Sequence, residues 1–227
     1  MGKALIIPGA DFSANGIQPE YTRLAWIGAA NSSANRINSG LFFGNKTGEL
    51  DDEIEFSVSL DATKLNSGTT SCYSPGCGVN SYTNIKAWFT QSQTTVFFSG
   101  YNDGSAKEVK IAFTGSLFDG SPHTIKINRY GGVVDGESKT FSNSPNLDGI
   151  AESVYNNIPV YLDCNTAVDS DSQDAEKIHW VKYRRNGVLI LDAIPVRRNS
   201  DGKIGFYDLV NDEYHFRNND SVPVYGL

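Results

Sequence analysis

Residues 181–216, VKYRRNGVLILDAIPVRRNSDGKIGFYDLVNDEYHF, decide the fold. Asn186-Gly187 stands between apolar-rich runs, and Asn-Gly supplies the two positive φ angles that a tight type I′ turn needs. Asn211-Asp212 separates IGFYDLV from EYHF as a second turn signal. The stretch therefore reads as two β-hairpins joined at the Ile194-Pro195 step. A chain that closes on paired antiparallel strands is expected to be antiparallel throughout.

The segments before it agree. Along residues 53–60, Ile54, Phe56, Val58 and Leu60 alternate with Glu55, Ser57 and Ser59, a period of two that means one buried and one polar face. Residues 85–89 and 94–99 read as a hairpin, and 109–113, 125–127 and 160–164 as further strands, with turn signals at Asp119-Gly120 and Gly131-Gly132. A short strand is expected at 4–7, two more within 26–43, and irregular chain over 135–157 with any short helix near 148–155. Residues 61–83 read as a long Ser/Thr/Gly/Cys loop, and long loops are where binding residues concentrate. No helical stripe of three turns, internal repeat or linker appears. The 227 residues are expected to form one all-β antiparallel domain, a β-sandwich or jelly roll, with residues 1–20 as an N-terminal extension.

Composition excludes more than it identifies. Twenty-two Gly and 26 aromatic residues favour strands and turns over helices. A net charge of −7 argues against a nucleic-acid surface, which relies on Lys and Arg. No apolar run approaches the roughly 18–20 residues of a membrane span. The opening GKALIIPGADF lacks the charge and length of a secretory signal, so the expectation is a mature form or a route that needs none. The three Cys lack the spacing of a zinc site; a Cys72–Cys77 disulfide and reduced thiols with Cys164 in the core both stay open.

The order of motifs resembles the LamG-like, concanavalin A-type jelly-roll modules of phage virion and bacterial surface proteins. Trp26-Ile27, Ile37-Asn38-Ser39-Gly40 and the alternating strand at 53–60 are similar to their opening. The strand 123–127 before Gly131-Gly132 is similar to their middle. Asn186-Gly187, residues 189–195, Ser200-Asp201-Gly202 and residues 205–210 are similar to their closing segment. GADFSAN at 9–15 also resembles the start of phage-associated jelly rolls of gut bacteria. The resemblance spans residues 24–217. It implies a two-sheet sandwich, a glycan or other virion or surface proteins as partner, and a virion, extracellular or cell-surface location, with homo-oligomer formation open.

Each candidate site has a plain structural role as its alternative. Laminarinase-like glycosidases of this fold carry Glu-x-Asp-x-x-Glu on one strand face, because retaining hydrolysis needs two carboxyls about 5–5.5 Å apart. Glu53 and Glu55 share a face, but Ser57 or Val58 stands where the second catalytic carboxylate belongs; a solvated face is expected and no hydrolysis by this route. DSDSQDAE at 169–176 has the alternating carboxylates of a calcium loop but Gln173 and Asp174 at key positions, so it reads as an acidic loop, with calcium the lesser reading and no cofactor expected. His123, His179 and His215 are scattered, and packing is the default for each. Trp26 is assigned to the core. Arg184-Arg185 and Arg197-Arg198 are candidates to lie adjacent across the closing hairpins, where they could meet an acidic sugar or a partner carboxylate; a solvated edge that discourages strand pairing is the favoured reading.

Aromatic faces stack on sugars while amides and carboxylates hold hydroxyls, so Tyr73, Tyr82, Trp88, Tyr101, Asn102 and Asp103, around the 61–83 loop and the next turn, are the glycan-binding candidates. The resulting expectation is a non-catalytic virion or cell-surface module that binds glycan. A purely structural capsid-decoration, head-fibre or tail component is the alternative, and a glycoside hydrolase of the same fold the second.

Overall fold

In the computed structural model, turn chemistry and strand alternation act as the sequence dictates. The structure describes residues 20–28, 37–42, 51–64, 71–73, 75–77, 84–90, 92–102, 105–142, 159–163 and 176–216. In chain order the strands are β1 (Tyr21–Arg23), β2 (Ile27–Gly28), β3 (Asn38–Phe42), β4 (Asp52–Asp61), β5 (Ser71–Tyr73), β6 (Gly76–Cys77), β7 (Asn84–Thr90), β8 (Gln93–Asn102) and β9 (Ser105–Thr114). They continue as β10 (Asp119–Asn128), β11 (Gly131–Val134), β12 (Glu137–Thr140), β13 (Pro159–Tyr161), β14 (Glu176–Arg185), β15 (Val188–Arg198), β16 (Ile204–Asp208) and β17 (Glu213–Phe216).

These strands form two antiparallel sheets. The larger runs β12-β11-β10-β4-β14-β15-β16-β17, with β1 beside β15 and β2 beside β14; the smaller runs β3-β13-β6-β7-β8-β9, with β5 beside β7. The chain passes repeatedly from one sheet to the other, as in a jelly-roll sandwich: β3 lies in the smaller sheet, β4 in the larger, β5–β9 in the smaller, β10–β12 in the larger. Ile54, Phe56, Val58 and Leu60 of β4, Ile125 and Ile127 of β10, and Ile178, Val181 and Tyr183 of β14 are fully buried against Ile85, Ala87, Phe89 and Val96 of the smaller sheet. Each such side chain contributes roughly 1.5–3 kcal/mol relative to exposure.

The 181–216 stretch forms its turns where expected. Asn186 and Gly187 have φ of 52° and 76°, the type I′ pair, between β14 and β15. One expectation is corrected: β15 runs unbroken through Ile194-Pro195, and Ser200-Asp201-Gly202 turns it into β16. The proline is tolerated because β15 changes neighbour at that point. Its pairing with β14 ends at Ala193 and that with β1 begins at Val196. The Pro195 carbonyl faces this gap, accepting from Leu24 N at 2.9 Å, so the missing N–H falls where no ladder bond is interrupted.

Other expectations are also revised. Strands β5 and β6 lie within the long loop read at 61–83, and β12 within the irregular stretch read at 135–157. Gly131-Gly132 open β11 instead of forming the turn. A Cβ on Gly132 would meet Val96 of the facing sheet at 2.7 Å, and one on Gly131 would meet the Lys139 carbonyl at 2.1 Å, so neighbours on two sides exclude a side chain there. Trp26 is half-buried and outside the core: Ile27 next to it points inward, so Trp26 turns out, with Lys177 Nζ 4.8 Å from its ring centroid. The strand expected at 4–7, the helix near 148–155 and Cys164 lie outside the described residues.

The arginine pairs are not adjacent, since they stand at opposite ends of β15; Arg184 and Arg185 are half-buried, whereas Arg197 is exposed. Arg185 forks onto Asp52 of β4 through Nε at 2.8 Å and Nη2 at 3.2 Å, and Nη2 also donates to the Phe42 carbonyl of β3 at 2.6 Å. One guanidinium thus ties the two sheets together. Arg198 instead pairs with Asp201 across the β15–β16 turn, Nε to Oδ1 at 2.9 Å.

Candidate functional site on the outer face of the larger sheet

Strand alternation that sends Ile54 and Phe56 inward sends Glu53, Glu55, Ser57 and Ser59 outward. The register then sets opposite charges side by side. Glu53 faces Asn128 of β10 and Arg184 of β14; Glu55 faces Lys126 and Lys182. Arg184 Nη1 lies 2.7 Å from Glu55 Oε2 and 3.4 Å from Glu53 Oε1. Lys126 Nζ is 3.6 Å from Glu53 Oε2, and Lys182 Nζ 3.7 Å from Asp192 Oδ2. Burial raises the Asp192 carboxyl above its ordinary value, against the pull of Lys182. Partly exposed pairs like these are worth about 0–1 kcal/mol each, so the network does more to arrange polar groups on the face than to stabilise it.

A β-bulge in β14 shapes the centre of this face. Ile178 pairs with Val58 and Trp180 with Ser57, leaving His179 as the extra residue. Ile178 and Val181 can then both reach the core while His179 and Trp180 turn outward. His179 Nδ1 lies 3.0 Å from the Ala25 carbonyl, which can only accept, so Nδ1 carries the proton and the Ser59 hydroxyl donates to Nε2 at 2.7 Å. Burial lowers the His179 pKa. Beyond Trp180 a satellite cluster of Tyr21, Ile194, Val196, Tyr207 and Tyr214 continues the face, with Tyr21 stacked on Tyr214 at 5.1 Å between centroids.

On the other side of β4 the face drops over β11 and β12, where the outward residues are small. The result is a shallow pocket of about 140 Å³ lined by Lys126, Asn128, Tyr130, Val133, Ser138 and Thr140. Tyr130 stands at its rim on the β10–β11 turn, 58% exposed. Asn128 holds that turn: its Oδ1 accepts from Tyr130 N at 2.9 Å and Gly131 N at 3.2 Å, while Nδ2 donates to Glu53 Oε2 at 3.2 Å. One amide therefore sets both the aromatic rim and the neighbouring carboxylate.

The far end of the same strands is clasped by His123. Its Nδ1 lies 2.6 Å from Asp135 Oδ2 and its Nε2 2.9 Å from Asp119 Oδ1, while Asp135 Oδ1 accepts from Thr124 N at 2.8 Å. Burial pushes the imidazole pKa down, but the hydrogen bonds and charges of the two aspartates outweigh it and the net shift is upward. Asp135 sits at φ 48°, so the clasp fixes the strained β11–β12 turn next to the pocket. Among the described residues no group of three or more His, Cys, Asp or Glu side chains converges as a metal site.

Those residues singled out from the sequence that the structure describes lie elsewhere. Trp88 is half-buried in β7 of the smaller sheet, on the side opposite Ala87 and Phe89, and the backbone of Tyr73 in β5 pairs with it. Tyr101 and Asn102 end β8, paired in backbone register with Ala106 and Ser105. Tyr82 and Asp103 lie outside the described residues, as do residues 169–175 of the acidic loop. Glu53 and Glu55 do share a face, as their spacing demands. The residues missed are Lys126, Tyr130, Ser138 and Thr140. The sequence signal for the rim is an aromatic at a turn followed by two glycines.

No family model matches the chain, and no curated protein does. Among solved structures it is similar to a glycoside hydrolase family 16 endo-glucanase from Bacteroides ovatus, at 16% identity over 70% of this chain and 80% of that one, with a TM-score of 0.37. The expectation that the protein is not an enzyme is withdrawn against this match, whose own description is that of a hydrolase.

Proposed function

We propose that the protein binds carbohydrate on the outer face of its larger sheet, in the pocket beside Tyr130. The observation that carries this reading is an exposed aromatic residue at the rim of a pocket, on a turn held by Asn128, with an ammonium and two hydroxyls among the other lining groups. A pyranose presents C–H surface to such a ring and hydroxyls to such donors and acceptors. About 140 Å³ is well below the roughly 300–1,000 Å³ of a site for drug-sized ligands, which suits a single sugar ring with the rest of a chain lying over Glu53 and Arg184. A glycan array followed by calorimetry tests it: binding that disappears in Tyr130→Ala supports the reading, and no sugar bound at millimolar concentration ends it.

A second reading, hydrolysis at the same face, is favoured by one observation. Glu53 and Glu55 both approach Arg184 Nη1, which puts those carboxylate oxygens no more than roughly 6 Å apart, a bound that admits the roughly 5–5.5 Å of retaining glycosidases. Release of reducing ends from β-glucans is the measurement, and an unchanged rate in a Glu53→Gln, Glu55→Gln double variant sinks the assignment. The seat of either activity on a virion or cell surface, and the alternative of a structural virion component, rest on the resemblance of residues 24–217. A closed oligomer in light scattering would favour the structural role.

A further inference from the structure

We infer that the Tyr130 pocket selects acidic sugars, with Lys126 recognising the carboxylate of a uronic acid; this rests on the carbohydrate-binding reading above. The chain as a whole carries −7, yet among the described residues no carboxylate lines the pocket. Its lining cations are Lys126 and Lys139, and the two are differently occupied. The Lys139 ammonium is turned to Glu137 at 3.1 Å, to the Ala112 carbonyl at 3.0 Å and over the Phe113 ring at 4.7 Å. Lys126 is 39% exposed, and its ion-pair partner among the described residues, Glu53, stands at 3.6 Å.

That distance is longer than the about 2.7–2.9 Å of a charge-assisted hydrogen bond. Glu53 is moreover shared with Arg184 and with the Asn128 amide. An ammonium has three donors, so Lys126 keeps capacity for an incoming anion. The hydroxyls of Ser138 and Thr140, both exposed on β12, supply further donors around the same space. Arg129, with its guanidinium 5.7 Å from the Tyr130 ring centroid, adds positive charge at the rim. A ring stacked on Tyr130 with a carboxylate toward Lys126 would gain a charge-assisted bond that its neutral counterpart lacks.

The test compares a glucuronate-terminated disaccharide with its glucose-terminated counterpart by calorimetry on the full chain, at low and at high salt. The expected result is at least tenfold tighter binding of the acidic sugar, a preference that shrinks as salt screens it. Lys126→Met should bring the two affinities together, Lys126→Arg should keep the preference, and Tyr130→Ala should weaken both. Equal affinities in the unaltered protein overturn the selectivity and leave carbohydrate binding standing. A preference that survives Lys126→Met overturns the role of Lys126. Binding of neither sugar overturns both the selectivity and the reading beneath it.

Discussion

Replacing Arg185 by Met should destabilise the protein by about 3 kcal/mol, because it removes the guanidinium paired with a buried anion between the sheets. Asp52 is only 2% exposed, and both its oxygens rest on the Arg185 guanidinium at 2.8 and 3.2 Å. At a separation near 3 Å and an effective dielectric of about 20, the Coulomb term alone is roughly 5 kcal/mol. The arginine side chain is 28% exposed, so water recovers part of that, and the expectation falls at the low end of the roughly 3–5 kcal/mol seen when one partner of a buried pair is removed. The hydrogen bond to the Phe42 carbonyl is lost as well, loosening β3 from the larger sheet. For a chain of this size about 3 kcal/mol corresponds to a fall in Tm of roughly 6–12 °C. Urea denaturation and a thermal scan measure both. The Asp52→Asn, Arg185→Met double variant should recover most of the loss, since the charge requiring compensation is gone. An Arg185→Met protein within 1 kcal/mol of the parent, or a double variant no better than the single one, refutes the reasoning.

Three further outcomes follow from the same physics. His123 has a raised folded pKa, so its contribution to stability is fully present below the unfolded value of about 6.5 and is lost as pH climbs through the folded value; Tm measured from pH 5 to 9 should fall across that window, and His123→Gln should flatten the fall. Gly132→Ala drives a methyl into Val96 of the opposite sheet and should cost about 1–3 kcal/mol by overpacking, read from the urea midpoint, with Gly132→Ala, Val96→Ala recovering part of it. Asn128→Ala removes the acceptor for two turn amides and the donor to Glu53; carbohydrate affinity should drop severalfold with a stability loss of only about 1–2 kcal/mol, and unchanged affinity would count against the pocket.

The scaffold was legible where local chemistry and burial agree. Asn186-Gly187 turns as it must because only residues tolerant of positive φ close a two-residue hairpin, and Ile54, Phe56, Val58 and Leu60 face inward because a strand has period two. The Ile194-Pro195 step misled because a proline reads locally as a break, whereas β15 carries it through at the point where it changes neighbours. Trp26 misled for a related reason: its size suggests the core, but only one of Trp26 and Ile27 could point there, and Ile27 does.

The candidate site was less legible, and distance along the chain explains it. Glu53 and Arg184 are 131 positions apart, and their meeting depends on β4 lying beside β14, which no local pattern announces. The outward direction of Glu53, Glu55, Lys126 and Arg184 was set by alternation, and so by the sequence itself. What assembles beside them was decided by strand order and register: β12 beside β11 places Ser138 and Thr140 across β11 from Lys126, and Asn128 holds the turn that carries Tyr130 at the rim. By itself the amino-acid order determined which residues turn, which alternate and which face water, because those are interactions between near neighbours. The tertiary structure alone decided which outward groups share a pocket, because sheet pairing is long-range and a single shift of register would send every one of them to the other face.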